Sequence, residues 1–187
     1  MKFDEEGASV LYGTYVGGSA DDLVTALAIS SSGRAFLTGS TASLDLRTTP
    51  SSVQSAPAGA TFKSSDGGDT WQRGKGGARS QWVLAIAVDP VTPSIVYEGT
   101  QDLGVLKSVD GGMTWAPANT GFAQRPRVND LATDPGTTGI VFAATGDGIY
   151  RSLDAGQSWN AVGPSAQRIA ISRSNPSFAY AASALGA

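Results

Sequence analysis

The sequence predicts an all-β fold built from about four copies of one four-stranded unit. One eight-residue segment occurs three times, beginning at Ser64, Ser108 and Ser152, and successive segments start 44 residues apart. The second and third segments are each preceded by two short runs of β-branched and small residues bounded by Pro, Gly or Asp, a pattern typical of strands. A repeat of this length indicates that one supersecondary unit recurs along the chain.

Each segment has the pattern Ser-x-Asp-x-Gly-x-Thr/Ser-Trp, which predicts a tight turn followed by a strand. The Asp can accept hydrogen bonds from nearby backbone N–H groups, the Gly permits a positive φ, and the hydroxyls add local hydrogen bonds. The Trp is large and apolar and is expected to pack on the core. Structural roles are therefore predicted for Ser64, Asp66, Gly68, Thr70, Trp71, Ser108, Asp110, Gly112, Thr114, Trp115, Ser152, Asp154, Gly156, Ser158 and Trp159.

Four strands in about 44 residues are typical of one blade of a β-propeller, so we expect about four blades. Residues 22–77 are predicted to form the first blade, 80–121 the second and 127–163 the third. Residues 167–187 supply two inner strands of a fourth, and residues 1–21 supply the outer strands that complete it. The chain, 1–187, is then a single propeller domain or a propeller segment.

Three ways of closing such a propeller remain open, because the chain begins and ends inside a blade. The ends can join in a four-bladed ring, which is the lower limit for propellers. Two chains can share split blades in an eight-bladed ring. Alternatively, the chain is a segment of a longer repeat protein.

The first blade contains an insertion, residues 42–60, that breaks the repeat. It is rich in Ser, Thr, Ala and Pro and has few large apolar residues, which predicts a surface loop. As the one surface feature outside the repeat, it is the expected contact with a partner. The residues predicted to make that contact are Leu44, Asp45, Leu46 and Arg47.

The repeated segments resemble Asp-box repeats, also called bacterial neuraminidase repeats. These occur in sialidases, sortilin-type receptors, xyloglucanase-type glycoside hydrolases and photosystem II assembly factors. Residues 11–22 and 26–41 resemble a second type, the bacterial propeller repeat of secreted and cell-surface proteins. The resemblance implies a β-propeller whose Asp boxes are structural turns on the rim. It also implies an extracellular or cell-surface location in a bacterium.

The composition excludes several kinds of site. The chain has no His and no Cys, so Ser-His-Asp, Cys-His and His-based metal chemistry are absent. A net charge of −3 without a basic stripe argues against nucleic acid, and no apolar run is long enough for a membrane span. Carboxylate pairs remain the plausible acid–base groups. The candidates are Asp21, Asp22, Asp102, Asp130 and Asp147.

These candidates also have structural interpretations. Asp102 and Asp147 occupy equivalent turns between the second and third strands of their blades, where each is expected to cap its turn. Asp66 with Asp69, or Asp21 with Asp22, offers oxygen ligands to a structural Ca²⁺, and no other cofactor is predicted. Trp82 is the one Trp outside the repeat pattern, whereas the others are predicted core residues.

The predicted function is a non-enzymatic binding or scaffold module that presents loops to a protein or glycan partner. One alternative is a segment of a carbohydrate-active enzyme, xyloglucanase-like or sialidase-like, although the early Arg-Ile-Pro motif of sialidases is missing. Another alternative is a self-assembling structural subunit, as a homodimer or within a longer repeat chain.

Overall fold

The computed structural model describes residues 2–3, 10–12, 17–29, 35–41, 60–66, 70–73 and 82–183. Gly68 and the proposed partner-contact residues lie outside this part of the chain, as does the predicted insertion except for its last residue. All regular structure in the described residues is β-strand. None of it is a helix that could cross a bilayer.

Three antiparallel sheets of four strands each follow one another along the chain. The first contains β3 (Asp22–Ile29), β4 (Ala35–Thr41), β5 (Ala60–Lys63) and β6 (Gln72–Arg73). The second contains β7 (Val83–Val88), β8 (Val96–Thr100), β9 (Val105–Ser108) and β10 (Ala116–Pro117). The third contains β11 (Val128–Thr133), β12 (Val141–Thr145), β13 (Ile149–Ser152) and β14 (Asn160–Gly163).

Two strand pairs lie at the ends of the chain. They are β1 (Lys2–Phe3) with β2 (Val10–Tyr12), and β15 (Arg168–Ile171) with β16 (Ala179–Ala182). Within the described residues each pair is a separate two-stranded sheet. Completion of the last blade by the N-terminal strands therefore stays a prediction.

The innermost strands pack in sequence order, β3 against β7, β7 against β11 and β11 against β15. Within the residues that the structure describes, no packing of similar extent connects β15 back to β3. The described blades therefore follow one another as an open arc, and the first and last sheets each have one face on which no described blade packs. We call the three contacts between successive blades the first, second and third joints.

The core lies in these joints, where buried apolar side chains of successive sheets meet. Phe36 of the first blade packs with Ile86 and Val88 of the second. Leu131 of the third blade packs with Ala85 and Tyr97 of the second. The predicted all-β propeller architecture is confirmed, with three complete four-stranded blades in the arc.

Candidate functional site

The blades have two chemically different ends. At one end of the blades lie the repeated eight-residue segments, which connect the third and fourth strands. The turns between the first and second strands lie at this same end, which we call the turn end. The first strands begin at the opposite end, beside the turns between second and third strands; we call this the loop end. The predicted site residues divide between these two ends.

Each repeated segment, hereafter a repeat turn, is held by its own Asp. In the third, Asp154 accepts hydrogen bonds from the Ser152 hydroxyl at 2.7 Å, the Ser158 backbone N–H at 2.8 Å and the Ser158 hydroxyl. Asp110 accepts the equivalent bonds from Ser108 and Thr114. Both carboxylate oxygens are therefore occupied by the turn, which leaves little capacity for a metal ion.

The same hydrogen bonds shift the acidity of these groups. The Ser158 hydroxyl, followed by Ser152 and the Ser158 N–H, lowers the pKa of Asp154 to about 2. Desolvation is the largest influence on Asp110, but its hydrogen bonds together outweigh it and lower that pKa to about 2. The Thr70 hydroxyl leads a similar lowering of the pKa of Asp66. The ionised form is thus the one that the turn stabilises.

Glycine at the fifth position of the second and third repeat turns is required by conformation, and in the third turn also by space. Gly112 and Gly156 have φ values of 84° and 79°, in the left-handed region. A Cβ on Gly156 would lie 3.1 Å from Cε1 of Tyr97 in the preceding blade. The turn therefore also fits closely against its neighbour.

The Trp of the third repeat turn joins two blades. Trp159 is buried, its Nε1–H donates to the Ala118 carbonyl at 2.8 Å, and its ring stacks on Phe122. Trp71 is also buried, and Trp115 is half-buried against Val83 and Leu106. All three indoles therefore lie at least partly inside the protein.

Two other carboxylates accept hydrogen bonds across the joints between successive blades. Asp89 is buried in the turn after β7 and accepts hydrogen bonds from the Thr138 hydroxyl and the Gly139 N–H of the third blade. Asp130 accepts a 3.0 Å hydrogen bond from the Ile169 N–H of the fourth. The sequence analysis proposed Asp130 as a candidate acid and did not single out Asp89. The residues that donate hydrogen bonds to these two carboxylates from the next blade are far away in sequence, so no local pattern reveals them.

At the loop end, Asp102 and Asp147 are exposed, and their turns are closed by threonines. The Thr100 hydroxyl donates to the Gly104 carbonyl at 2.7 Å and accepts from the Leu103 N–H. Thr145 makes the corresponding bonds with Gly148. In the described part of the chain no hydrogen bond reaches either carboxylate. The expectation that these Asp residues cap their turns is wrong.

Trp82 lies beside one of these turns with 53% of its surface exposed. The Gln101 N–H donates to the Trp82 carbonyl at 3.0 Å, which places the Trp82 backbone next to the turn that carries Asp102. Asp21 is exposed before β3, whereas Asp22 accepts a hydrogen bond from the Gly18 N–H at 2.7 Å. The loop end therefore combines an exposed aromatic residue with the carboxylates of Asp102 and Asp147, which no described hydrogen bond reaches.

No described set of three or more His, Cys, Asp or Glu side chains converges as a metal-ion site. Asp66 is engaged by Ser64 and Thr70, and its predicted companion Asp69 lies outside the described residues. The calcium hypothesis thus has no support from the geometry of Asp66.

No family model matches the chain. Over 84 residues it is 36% identical to an oligoxyloglucan-reducing end-specific xyloglucanase of Emericella nidulans, a match covering 41% of this chain and 10% of that protein. Over 97 residues it is 33% identical to xyloglucanase Xgh74A of Acetivibrio thermocellus, covering 43% and 12%. The chain thus spans about a tenth of the length of these curated relatives.

The structure of a GH74 enzyme from Niastella koreensis matches with a TM-score of 0.59 at 24% sequence identity, over 80% of this chain and 24% of that one. At this identity the likeness concerns the fold, which is a β-propeller. The sequence relatives favour the carbohydrate-active alternative over the non-enzymatic scaffold that the sequence analysis placed first.

Proposed function

We propose that this chain is part of a carbohydrate-active β-propeller and binds a β-linked plant polysaccharide of the xyloglucan type at its loop end. The relation to xyloglucanases supports the class of ligand, and the exposed Trp82 beside Asp102 supports the place. The Asp-box likeness of the repeat turns and an extracellular location belong to the same proposal, because polysaccharides of this kind lie outside cells.

The chemistry of the loop end suits a sugar chain. The flat indole of Trp82 offers an apolar surface for the C–H face of a sugar ring. The carboxylates of Asp102 and Asp147 accept hydrogen bonds from hydroxyls, and the Gln101 amide both donates and accepts. Since Thr100 and Thr145 close the two turns, these carboxylates can meet a ligand without loss of the local fold.

Binding is tested by isothermal titration calorimetry with xyloglucan oligosaccharides. Trp82→Ala is expected to weaken binding at least tenfold, because the stacking surface is lost. Phe178→Ala is the matched control, since Phe178 is also an exposed aromatic residue but lies at the turn end. Equal affinities for wild type and Trp82→Ala would contradict the proposed binding site at the loop end. Absence of binding by the wild type would contradict the proposed xyloglucan ligand.

A hydrolytic role is a second test of the same surface. Glycoside hydrolysis uses two carboxyl groups about 5–10 Å apart on either side of the scissile bond. Release of reducing sugar that is abolished by Asp102→Asn or Asp147→Asn, with binding retained, would assign a catalytic role to that residue. Binding without hydrolysis would identify this chain as the glycan-binding part of the propeller.

A further inference from the structure

The three joints share one construction. In each blade, strand pairing places an alanine of the first strand opposite an aromatic residue of the second strand. The sheet face that carries this pair contacts aliphatic side chains of the following blade, and we call it the receiving face. In the second joint, the receiving face of Ala87 and Tyr97 packs against Leu131. The paired residues in the four blades are Ala28 with Phe36, Ala87 with Tyr97, Ala132 with Phe142, and Ala170 with Tyr180.

No described blade packs on the receiving face of the last blade. Phe36 and Tyr97 are fully buried by the blades that follow them, whereas the equivalent Tyr180 is 66% exposed. Ala170 and Ala182, which share this face, are also exposed. We call Ala170, Tyr180 and Ala182 the tail face.

The inserting face of the first blade likewise has no described blade packed on it. The residue before each paired alanine inserts into the preceding blade, and it is 7% exposed at Ile86, 6% at Leu131 and 7% at Ile169. The equivalent Leu27 is 55% exposed, and Val24 and Ile29 beside it are also exposed. We call Val24, Leu27 and Ile29 the head face.

We infer that the tail face of one copy of this chain binds the head face of a second copy, with the packing of an internal joint. The two faces are the unmatched halves of a contact that the molecule already makes three times. They also carry opposite charges at the same end of the blade, Arg168 at the start of β15 and Asp21 just before β3.

This contact is heterologous, because it joins two different surfaces. A pair joined once still has one free tail face and one free head face, so the pair closes only by forming the contact twice. A closed pair contains eight inner strands, and the expected species has twice the 19.0 kDa mass of one chain. The exposed aliphatic and aromatic side chains supply the apolar contact area.

Sedimentation velocity over a range of concentrations tests the inference. Wild type is expected to dimerise, and Leu27→Lys or Tyr180→Lys is expected to be monomeric alone. An equimolar mixture of these variants should recover a dimer, because one intact head face and one intact tail face remain. Leu153→Lys is the control, since Leu153 is exposed in a repeat turn and lies on neither face.

The mixture also distinguishes other modes of association. Persistence of dimers in Tyr180→Lys alone would indicate a head-to-head contact and overturn the inference, and monomeric wild type at all concentrations would do the same. Far-ultraviolet circular dichroism checks folding, which both variants should retain because the replaced side chains are exposed.

Disulfide trapping provides a second readout, since the chain has no native Cys. Leu27→Cys mixed with Ala170→Cys is expected to give a covalent dimer under mild oxidation, more efficiently than either variant alone. In the double variant, disulfides between chains would support the contact. A disulfide within a monomer would show that the arc closes on itself and would overturn the inference.

Discussion

The carboxylate of Asp89 reaches from the second blade to the third, where the Gly139 backbone N–H donates to its Oδ2 at 2.9 Å. Its other oxygen accepts from the Val91 and Thr92 N–H groups and so shapes the turn of its own blade. One buried side chain therefore fixes a local turn and a joint between blades.

Asp89→Ala is expected to lower the free energy of unfolding by about 2–3 kcal/mol, because buried donors in two blades lose their acceptor. Asp134→Ala is the matched control, since among the described residues the Asp134 carboxylate bonds only within its turn, to the Gly136 and Thr137 N–H groups. We expect the control to cost about 1 kcal/mol. Urea denaturation measures both, and equal losses would contradict a role of Asp89 across the joint.

Ala155→Gly is expected to stabilise the protein by about 0.5–1 kcal/mol. Ala155 has a φ of 59°, in the left-handed region that non-glycine residues occupy at a cost. The second repeat turn has Gly111 at this position, with a φ of 69°. Gly111→Ala should destabilise by a similar amount. Thermal unfolding of both variants measures the effect, and a decrease in Tm for Ala155→Gly would contradict it.

Acid is expected to weaken the repeat turns between about pH 4 and pH 2. The pKa of Asp154 and of Asp110 falls from 3.8 to about 2 in the folded state, so the unfolded chain binds more protons in this range. The stabilisation is fully present above pH 4 and is lost as the pH falls through the folded pKa.

Urea midpoints between pH 7 and pH 2 measure this loss. Asp154→Asn should flatten the acid decline, because the titrating group is removed. At pH 7 the urea midpoint of Asp102→Asn should match that of wild type, since no described hydrogen bond reaches that carboxylate. An acid decline that is identical in wild type and Asp154→Asn would show that other groups cause it.

Trp159→Phe is expected to destabilise the protein by about 1–2 kcal/mol, because the Ala118 carbonyl loses its donor while the stack on Phe122 is kept. Trp159→Ala should cost about 3–5 kcal/mol, since it also leaves a cavity. Trp82→Phe is the control and should change stability little, because its side chain is exposed. Chemical denaturation followed by circular dichroism measures all three.

The sequence was sufficient for the repeat unit and its turns because these depend on residues that are close in sequence. In the described part of the chain Asp154 bonds only to residues within four positions, so the pattern Ser-x-Asp-x-Gly-x-Thr/Ser-Trp predicts the turn directly. The strand patterns likewise predict sheets of four, and the three complete sheets follow them. Local hydrogen bonds and hydrophobic periodicity are visible in a single chain.

Only the tertiary structure shows which hydrogen bonds the other carboxylates make and which sheet faces are exposed. The partners of Asp89 and Asp130 in the next blade are 39 to 50 residues away, and no local pattern marks them. Asp102 appeared to be a capping residue until the geometry showed that Thr100 closes its turn. Leu27 and Ile86 have the same place in the repeat, yet among the described residues only Ile86 packs against a preceding blade. Burial depends on the neighbour in space, which one repeat by itself does not specify.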